Sequence, residues 1–242
     1  MKRLIGYLFA VVFIFAGWHI SSLLLETPAL PTPIETVPVL IEYASALSSD
    51  FFISFYRVAI SLAIAVVLGA PLGLWLGRAG IAETLFTPVF YILYPVPKIV
   101  ILPILLVLLG LGHAPKIVLI ALTIFFQVVI VMHDAAKNLP EQTIQSMRSL
   151  GAGKADMWRH VIIPASLPEL FTCLRVSSGI AIAILFFAEA IAGSTGLGYF
   201  IMNSWAMVNY ARMFAGIIAL AVLGLIFYVV FDIVERLVNA HR

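Results

Sequence analysis

The sequence has little charge and little cysteine, and both shortages exclude classes of protein. Only 11% of its 242 residues are charged and the formal net charge is +2, so no basic surface for nucleic acid is expected. The single cysteine, Cys173, excludes an internal disulfide and leaves the redox compartment open. The five histidines are scattered along the chain, which argues against a metal site.

Motifs for catalysis and for nucleotide binding are also missing. There is no His-Glu-x-x-His, no phosphate-binding Gly-x-x-x-x-Gly-Lys-Ser/Thr, and no pair of acids at helical spacing within an apolar run. Ser194 has no histidine nearby in the sequence that would make it a nucleophile. We therefore predict that the chain is not an enzyme and needs no cofactor. Energy for any transport must come from another subunit or from an ion gradient.

What the sequence has in abundance is apolar surface. Hydrophobic residues make up 63% of the chain and the mean hydropathy is +1.12, which predicts an all-α polytopic membrane protein. Six apolar runs are long enough to be spans, at about residues 4–25, 55–76, 85–109, 117–132, 171–192 and 213–231. A cleaved signal peptide is the alternative for the first run, but the run is long and no small-x-small cleavage site follows it.

The distribution of charge predicts the orientation. Residues 26–50 carry four acids and no lysine or arginine, so this loop faces outward and both chain ends lie in the cytoplasm. A helix over residues 39–47 is expected to lie at the membrane interface. Under this arrangement the inner side holds Lys2, Arg3, Arg78, Lys137, Arg148, Lys154, Arg159, Arg175, Arg236 and Arg242, and the exceptions are Arg57, Lys98, Lys116 and Arg212.

Two spans carry unusual residues. Gly69, Gly73 and Gly77 recur every fourth position in the second span and predict close helix packing, within one subunit in preference to a subunit interface. The third span contains four prolines and Lys98, and a charge at membrane depth costs on the order of 3 kcal/mol unless it has a partner or faces water. That combination points to a translocation path, for which the candidates are Tyr94, Pro97, Lys98 and Glu189.

For each of these residues, a structural role within the helix bundle is the alternative to a role in the translocation path. Lys98 can attract an anionic solute or form an ion pair inside the membrane, for example with Glu189. Glu189 can line a gate, relay protons or serve as a structural acid. Tyr91, Tyr94 and neighbouring aromatic residues can form a gate or simply pack in a core.

The longest polar segment, residues 145–168, lies between two apolar runs. We predict two short helices, 143–150 and 154–161, joined by a turn at Gly151 and Gly153, with the second helix ended by Pro164. Asn138 or a neighbour is expected to cap the first helix, with Pro140 in its first turn. A structured basic segment of this kind suggests a docking site, and an ordinary solvated loop is the alternative.

The spacing in this segment resembles the EAA loop of bacterial ABC-importer permeases. In that loop the Glu-Ala-Ala triplet is followed by three residues, a glycine, nine residues, Ile, one residue and Leu-Pro. The same spacing is found here from Gly151, which is followed after nine residues by Val161 and then by Ile163 and Pro164. The triplet falls on residues 145–147, where the expected first carboxylate is absent. The sequence Asp-Ala-Ala at 134–136 also resembles the triplet, but it lies too early in the chain for the spacing to Gly151.

Two further stretches carry the resemblance, which extends over about residues 51–236. The family's sequence in its third span is similar to Tyr94-Pro95-Val96-Pro97-Lys98. The family's sequence after its fifth span is similar to Phe187-Ala188-Glu189 together with the Gly-Leu-Gly at 196–198. The matching branch imports nitrate, sulfonates, bicarbonate and thiamine- or flavin-related compounds.

The resemblance implies a six-span type I importer fold that forms a homodimer in the bacterial inner membrane. The partners would be a second copy, two cytoplasmic ATPase subunits that bind ATP and Mg, an extracytoplasmic solute-binding protein and the lipid bilayer. The domains would be 1–50 with the first span and outer loop, 51–237 with the permease core and coupling loop 138–168, and a tail 238–242. The ATPase-coupling residues would be Gln145, Ser146, Met147, Arg148, Leu150, Gly151, Ala152, Val161, Ile163 and Pro164.

The solute would be a small anion, and a neutral heterocycle is the alternative. A secondary transporter without an ATPase is disfavoured, because only one midplane charge and no internal repeat occur. An intramembrane enzyme is disfavoured by the missing catalytic residues. A scaffold that transports nothing is the third rival, and co-purification of an ATPase would separate the importer from all three.

Overall fold

The computed structural model describes residues 2–239, and in this part of the chain every regular element is helical, so the prediction of an all-α protein is confirmed. The helices are α1 Lys2–Leu25, α2 Pro33–Glu42, α3 Ala44–Leu76, α4 Ile81–Leu93, α5 Leu102–Leu109, α6 Ala114–Lys137, α7 Glu141–Ser149, α8 Lys154–Met157, α9 Ile163–Ala192, α10 Leu197–Ala206 and α11 Tyr210–Asn239. A 3₁₀ turn at Lys98–Ile101 precedes α5, and a π-helical turn at Trp158–Ile162 joins α8 to α9. Of the predicted tail 238–242, the last three residues, including Arg242, lie outside the described residues.

Four helices within residues 2–239 are long and apolar enough to cross a membrane: α3, α6, the continuous helix Lys154–Ala192, and α11. A fifth span is formed if α4 and the segment Lys98–Leu109, which are bent by 82° at their break, cross together. The predicted first span corresponds to α1, whose apolar part is the 17-residue stretch Phe9–Leu25. Four of the six predicted spans therefore coincide with helices long enough to cross, the third coincides with the bent pair, and the first coincides with a shorter apolar helix.

The predicted interfacial helix 39–47 is wrong in its bounds. The helix instead runs over Pro33–Glu42, and the chain breaks at Tyr43 before α3 begins. Thr32 sets the start, because its side chain accepts a hydrogen bond from the Glu35 amide while the Glu35 carboxylate accepts one from the Thr32 amide. Local capping therefore decides a boundary that hydrophobic periodicity placed six residues too late.

The prediction that Pro164 ends a short helix is also wrong. The helix that starts at Lys154 continues through Pro164 and Pro168 to Ala192. Just before Pro164, the Ile163 amide donates to the Trp158 carbonyl five residues back, and this π turn widens the helix. The wider turn gives the proline ring room without breaking the helix.

Two smaller expectations differ as well. Pro140, rather than Asn138, is the residue at the start of α7, and no side chain caps that helix. The segment after Gly193 contains a helix, α10, which its aromatic and glycine-rich sequence did not predict. Helix α10 follows Gly196, whose φ of +104° makes the sharp turn into it.

Two compact units divide the described chain. The first comprises residues up to 54 together with 189–222, and it holds α1, α2 and α10. In it the Trp18 ring stacks on Phe214 at 5.3 Å and its indole N–H donates to the Pro31 carbonyl. Arg212 lies 4.7 Å from the ring centres of both Tyr43 and Phe200, a double cation–π contact.

The second unit comprises residues 55–188 with 223 onward, and it holds α4 to α8. Its core includes the buried Leu102, Leu119 and Ala188. Arg175 on α9 pairs with Asp232 at 3.0 Å and Glu235 at 3.4 Å on α11. The Ser177 hydroxyl donates to the Gln127 side chain at 2.9 Å, which ties α9 to α6.

Candidate functional site

The polar segment between α6 and α9 is a helical hairpin that one apolar residue anchors. Helix α7 carries mostly polar residues and buries only Ile144, which is 5% exposed. The turn 150–153 then leads into α8, whose first amides follow Gly153. The Asp156 carboxylate accepts a hydrogen bond from the Gly153 amide at 3.0 Å and so fixes the start of α8.

Gly151 makes the turn possible through its backbone conformation. Its φ is +81°, and its amide donates to Arg148 O at 2.9 Å while the Ala152 amide donates to Met147 O at 3.1 Å. These two bonds form a Schellman motif, the common glycine-dependent end of a helix. A Cβ built on Gly151 meets no atom within 4 Å. Within this chain the glycine is therefore required for its φ, and close approach of a neighbour plays no part.

The proposed coupling residues differ in accessibility. Leu150, at the tip of the turn, is 82% exposed, which is unusual for a leucine with no lipid to cover it. Met147 and Ala152 are half-buried, and Val161 is buried. The exposed members are Gln145, Ser146, Arg148, Leu150, Gly151, Ile163 and Pro164.

A cleft of about 330 Å³ lies between the hairpin and the end of α3. Three basic residues line it: Arg78, Arg148 and Lys154. Arg78 and the anchor Ile144 were not among the predicted site residues. The only sequence signal for Arg78 was its position directly after a span, in a chain with few charges.

The proline-rich segment between α4 and α5 forms a kink that holds Lys98. Lys98 is 7% exposed, and its ammonium donates to the carbonyls of Leu93 and Tyr94, each at 2.7 Å. These carbonyls lie at the C-terminal end of α4, where a cation is favourable. The ammonium also lies 4.6 Å from the centre of the Phe126 ring. The charge is thus held by backbone dipoles and an aromatic face.

Beside this kink is a cavity of about 440 Å³. Tyr94, Pro97 and Lys98 all line it, together with the polar side chains of Thr123 and Gln127. The structure thus brings three of the four predicted path residues to one cavity. The rest of its lining is apolar, so a bound solute would meet few polar groups.

Glu189, the fourth predicted path residue, lies near the C-terminal end of α9, and its side chain is buried against the start of α10. Its carboxylate accepts hydrogen bonds from the Ser54 hydroxyl at 2.9 Å and from the Gly198 amide at 2.9 Å. The Leu197 amide donates to Ser54, and the Gly196 amide donates to Asp50 at 2.6 Å. Three successive amides at a helix N-terminus are therefore satisfied by side chains, two of them carboxylates.

The three glycines of the second span lie against α6. A Cβ on Gly69 would lie 3.1 Å from Val128, and a Cβ on Gly73 or Gly77 would come closer than 3.0 Å to a backbone carbonyl of α6. Since backbone cannot give way as a flexible side chain can, the two helices require glycine at the last two positions.

A polar cluster that sequence reasoning missed ties α4 to α6. The Glu83 carboxylate lies 2.7 Å from the Lys137 ammonium and 3.3 Å from the His133 imidazole. The other imidazole nitrogen lies 2.9 Å from Asp134, which also accepts a hydrogen bond from Tyr91. His133, Asp134 and Lys137 directly follow the predicted span 117–132, but the sequence could not indicate that Glu83, 50 residues before His133, would join them.

The turn before α6 holds a second histidine beside two cations. The Arg57 Nε donates to the His113 Nδ1 at 3.3 Å, which requires that nitrogen to be unprotonated. Burial lowers the pKa of His113, and the nearby charges of Arg57 and Lys116 lower it further. His113 is therefore a neutral acceptor at neutral pH.

Sequence comparison identifies relatives over most of the chain. The family model described as "Binding-protein-dependent transport system inner membrane component" matches residues 65–240. The taurine transport system permease protein TauC of Escherichia coli is 29% identical over 221 residues, which cover 88% of this chain and 80% of TauC. The nitrate import permease protein NrtB of Synechocystis sp. is 26% identical over 212 residues, covering 83% of this chain and 77% of NrtB.

A solved structure shares the fold. An inward-facing conformation of the MetNI methionine ABC transporter superposes with a TM-score of 0.69 and 20% identity, covering 81% of this chain and 98% of the matched chain. At this identity the likeness supports the fold and says nothing of the solute.

Proposed function

Because this chain belongs to the family of binding-protein-dependent transport system inner membrane components, it is a multi-pass inner-membrane permease, and we propose that a separate cytoplasmic ATPase drives it. The coupling loop would be 138–168, and the hairpin α7–α8 within it would dock on the ATPase. The observation that carries this proposal is the hairpin itself: Ile144 anchors it, Gly151 fixes its turn, and Leu150 projects from its tip. An exposed leucine at a rigid tip suits insertion into a partner's apolar groove.

The docked hairpin would convert nucleotide binding into a choice between two packings of the spans. ATP would bring two ATPase subunits together, and with them the hairpins of two permease copies in a homodimer. The rigid connection of α8 to α9 through the π turn supports this role, because a continuous 39-residue helix can carry a displacement from the hairpin into the membrane. ATP and Mg would bind the ATPase, and this chain would need no cofactor.

A crosslinking experiment tests both the docking and the orientation. Cys173 is buried, so a cysteine introduced at Leu150 would be the accessible thiol. Leu150→Cys should crosslink to the co-expressed ATPase. Leu111→Cys is the matched control, since Leu111 is 83% exposed in the turn between α5 and α6 that should face outward. A crosslink from Leu111 and none from Leu150 would reverse the orientation and remove the proposal.

The topology we propose has six spans, with α1 as the first, the bent pair α4–α5 as the third, and both chain ends in the cytoplasm. The proposed domains are 1–50, 51–237 and the tail 238–242. The acid-rich outer loop and the basic hairpin support this orientation. A membrane-impermeant thiol reagent should label Leu111→Cys in whole cells and Leu150→Cys only after lysis.

We propose a small anion as the solute, such as a sulfonate or nitrate. The relatives are named for taurine and nitrate transport, and the cavity at the kink holds a buried ammonium with Thr123 and Gln127. Uptake of labelled taurine and nitrate by the reconstituted transporter would test this. Lys98→Met should abolish uptake and Lys98→Arg should retain part of it, with thermal stability measured on both variants. Uptake of a neutral heterocycle instead would favour the alternative, and solute flux without the ATPase would favour a secondary transporter.

The extracytoplasmic binding protein would dock at the first unit. A cavity of about 880 Å³ there is lined by Glu26, Glu35 and the turn 207–211. Val208 in that turn has φ of +57° and Glu26 has φ of +45°, and strained non-glycine residues are frequent at binding sites. Glu26→Lys should weaken the stimulation of ATPase activity by the binding protein and leave the unstimulated activity unchanged.

A further inference from the structure

The cleft behind the hairpin collects positive charge without an internal counter-charge. Arg78, Arg148 and Lys154 line the same space of about 330 Å³. None of the three is in an ion pair with a carboxylate of residues 2–239. Three cations around a space this small repel one another, and a bound anion would relieve that repulsion.

Arg78 lines the cleft and also carries donors that lack an acceptor. Its Nε and Nη2 atoms are shielded from solvent and have no hydrogen-bond acceptor in the described part of the chain. Leaving a buried charged donor unpaired costs more than leaving a neutral one, so such groups are rare unless a ligand or ion completes them. A guanidinium presents its donors in a fixed fork that suits the paired oxygens of a phosphate or carboxylate.

The remaining lining indicates where the anion comes from. The cleft wall also contains apolar and aromatic side chains: Ile144, Met157, Trp158 and Ile162. Arg78 lies two residues after the end of α3, which is a membrane-spanning helix. Tryptophan and basic residues at the inner end of a span are the combination that holds lipid headgroups, and basic pockets on the cytoplasmic side bind anionic lipids.

We propose that this cleft binds the phosphate headgroup of an anionic phospholipid from the inner leaflet. Arg78 donates to the phosphate oxygens, Lys154 and Arg148 supply further positive charge, and the glycerol and upper acyl region contacts Trp158 and Ile162. A free anion or an acidic side chain of the ATPase would use the charges but would have no need of the apolar wall. The inference rests on the proposed inward orientation of the hairpin, and it links the hairpin's position to the lipid composition.

The test uses the full-length permease purified in a neutral detergent without its ATPase. Thermal unfolding is followed with added phosphatidylglycerol, with phosphatidylcholine and with inorganic phosphate, and bound lipid is counted by native mass spectrometry. Phosphatidylglycerol should raise the midpoint by several degrees, and the other two additions should have little effect. Arg78→Gln and Lys154→Gln should each weaken phosphatidylglycerol binding by about fivefold, the share expected of one charge near a lipid surface.

Arg159→Gln is the matched control. Arg159 is exposed on the same segment, its loss changes the net charge equally, and it does not line the cleft. Equal losses in Arg78→Gln and Arg159→Gln would overturn the proposal, because they would indicate a general surface effect. Equal stabilisation by inorganic phosphate would replace the lipid with a free anion and also overturn it.

A separate arm distinguishes this inference from the proposed function. ATPase association is measured in phosphatidylcholine nanodiscs, where Arg78→Gln should bind the ATPase as wild type does. A crosslink from Arg78→Cys to the ATPase would assign the cleft to the ATPase and reject the lipid. Failure of Leu150→Cys to crosslink, with lipid binding intact, would reject the docking while leaving the lipid site in place.

Discussion

Replacing Gly151 by alanine tests the hairpin with the smallest chemical change the chain allows. Gly151 has φ of +81°, which an alanine adopts at a cost of about 1–2 kcal/mol. Since a Cβ there meets no atom within 4 Å, no clash adds to that figure. The whole effect is therefore a backbone effect, and it falls on the Schellman turn that ends α7.

If the ATPase binds the hairpin in this conformation, Gly151→Ala must be forced back into the turn on binding. A cost of about 1–2 kcal/mol weakens association by about 5–30-fold. The measurement is the dissociation constant of the ATPase for the permease in nanodiscs, by surface plasmon resonance or fluorescence. Membrane insertion and midpoint of unfolding should change little, because the turn is exposed and buries no core residue.

Gly153→Ala is the matched control two residues away. Gly153 has φ of −74° and ψ of 176°, which any residue adopts, and its Cβ would make only an ordinary contact with Asp156 at 3.4 Å. Its dissociation constant should stay within about threefold of wild type, which corresponds to the loss of about 0.6 kcal/mol when alanine replaces glycine at an N-cap. Equal effects at Gly151 and Gly153, or none at Gly151, would refute the reasoning.

Two further variants at Gly151 separate conformation from charge. Asparagine and aspartate both tolerate positive φ, and they have nearly the same shape. Gly151→Asn should therefore bind the ATPase almost as wild type does. Gly151→Asp should weaken the association without affecting insertion, and the difference between the two variants measures the effect of a negative charge at the docking surface. Recovery of an intact complex with Gly151→Asp would contradict this.

Other predictions concern the packing within each unit. Gly73→Ala should lower the midpoint of thermal unfolding by several degrees because its Cβ would strike α6 backbone, whereas Gly179→Ala, with open space around its Cβ, should not. Glu189→Gln should destabilise the start of α10 by about 1–3 kcal/mol, seen as faster amide exchange at Gly198, and unchanged exchange would count against the capping role. Thr32→Ala should fray the helix it caps by about 1 kcal/mol, measured by the same exchange. His113, whose pKa is lowered on folding, should contribute stability above its unfolded pKa of about 6.5 that is lost as the pH falls, and this slope should disappear in His113→Gln.

The apolar runs determined the membrane class and the rough position of each span, since no other environment would cover so much hydrocarbon. Glycine at 151 predicted a turn correctly, because a helix of L-residues seldom continues through such a position when polar residues surround it. The glycines at 69, 73 and 77 likewise indicated close packing. The spans and the turn depend on neighbouring residues, and the row of glycines is a repeat within one helix, so the sequence alone indicates all three.

Helix boundaries near proline required the three-dimensional structure. Pro164 was expected to end a helix, but one π turn absorbs its ring, and whether such a turn forms depends on the packing of the neighbouring residues. The start of α2 likewise depended on a reciprocal pair of hydrogen bonds between Thr32 and Glu35. Periodicity does not detect either effect because both involve individual hydrogen bonds.

The roles of the charged residues were decided by tertiary contacts. From the sequence, Lys98 and Glu189 were both candidates for a path, since each was a charge within or at the end of an apolar run. The fold gave Lys98 two carbonyls at the end of α4 and a cavity, and it gave Glu189 the first amides of α10. Composition and spacing thus established the membrane class, the approximate positions of the long apolar helices and the turn at Gly151. Which distant groups meet each charge depended on packing, because a buried charge is stabilised by whatever dipoles the folded chain brings within hydrogen-bonding distance.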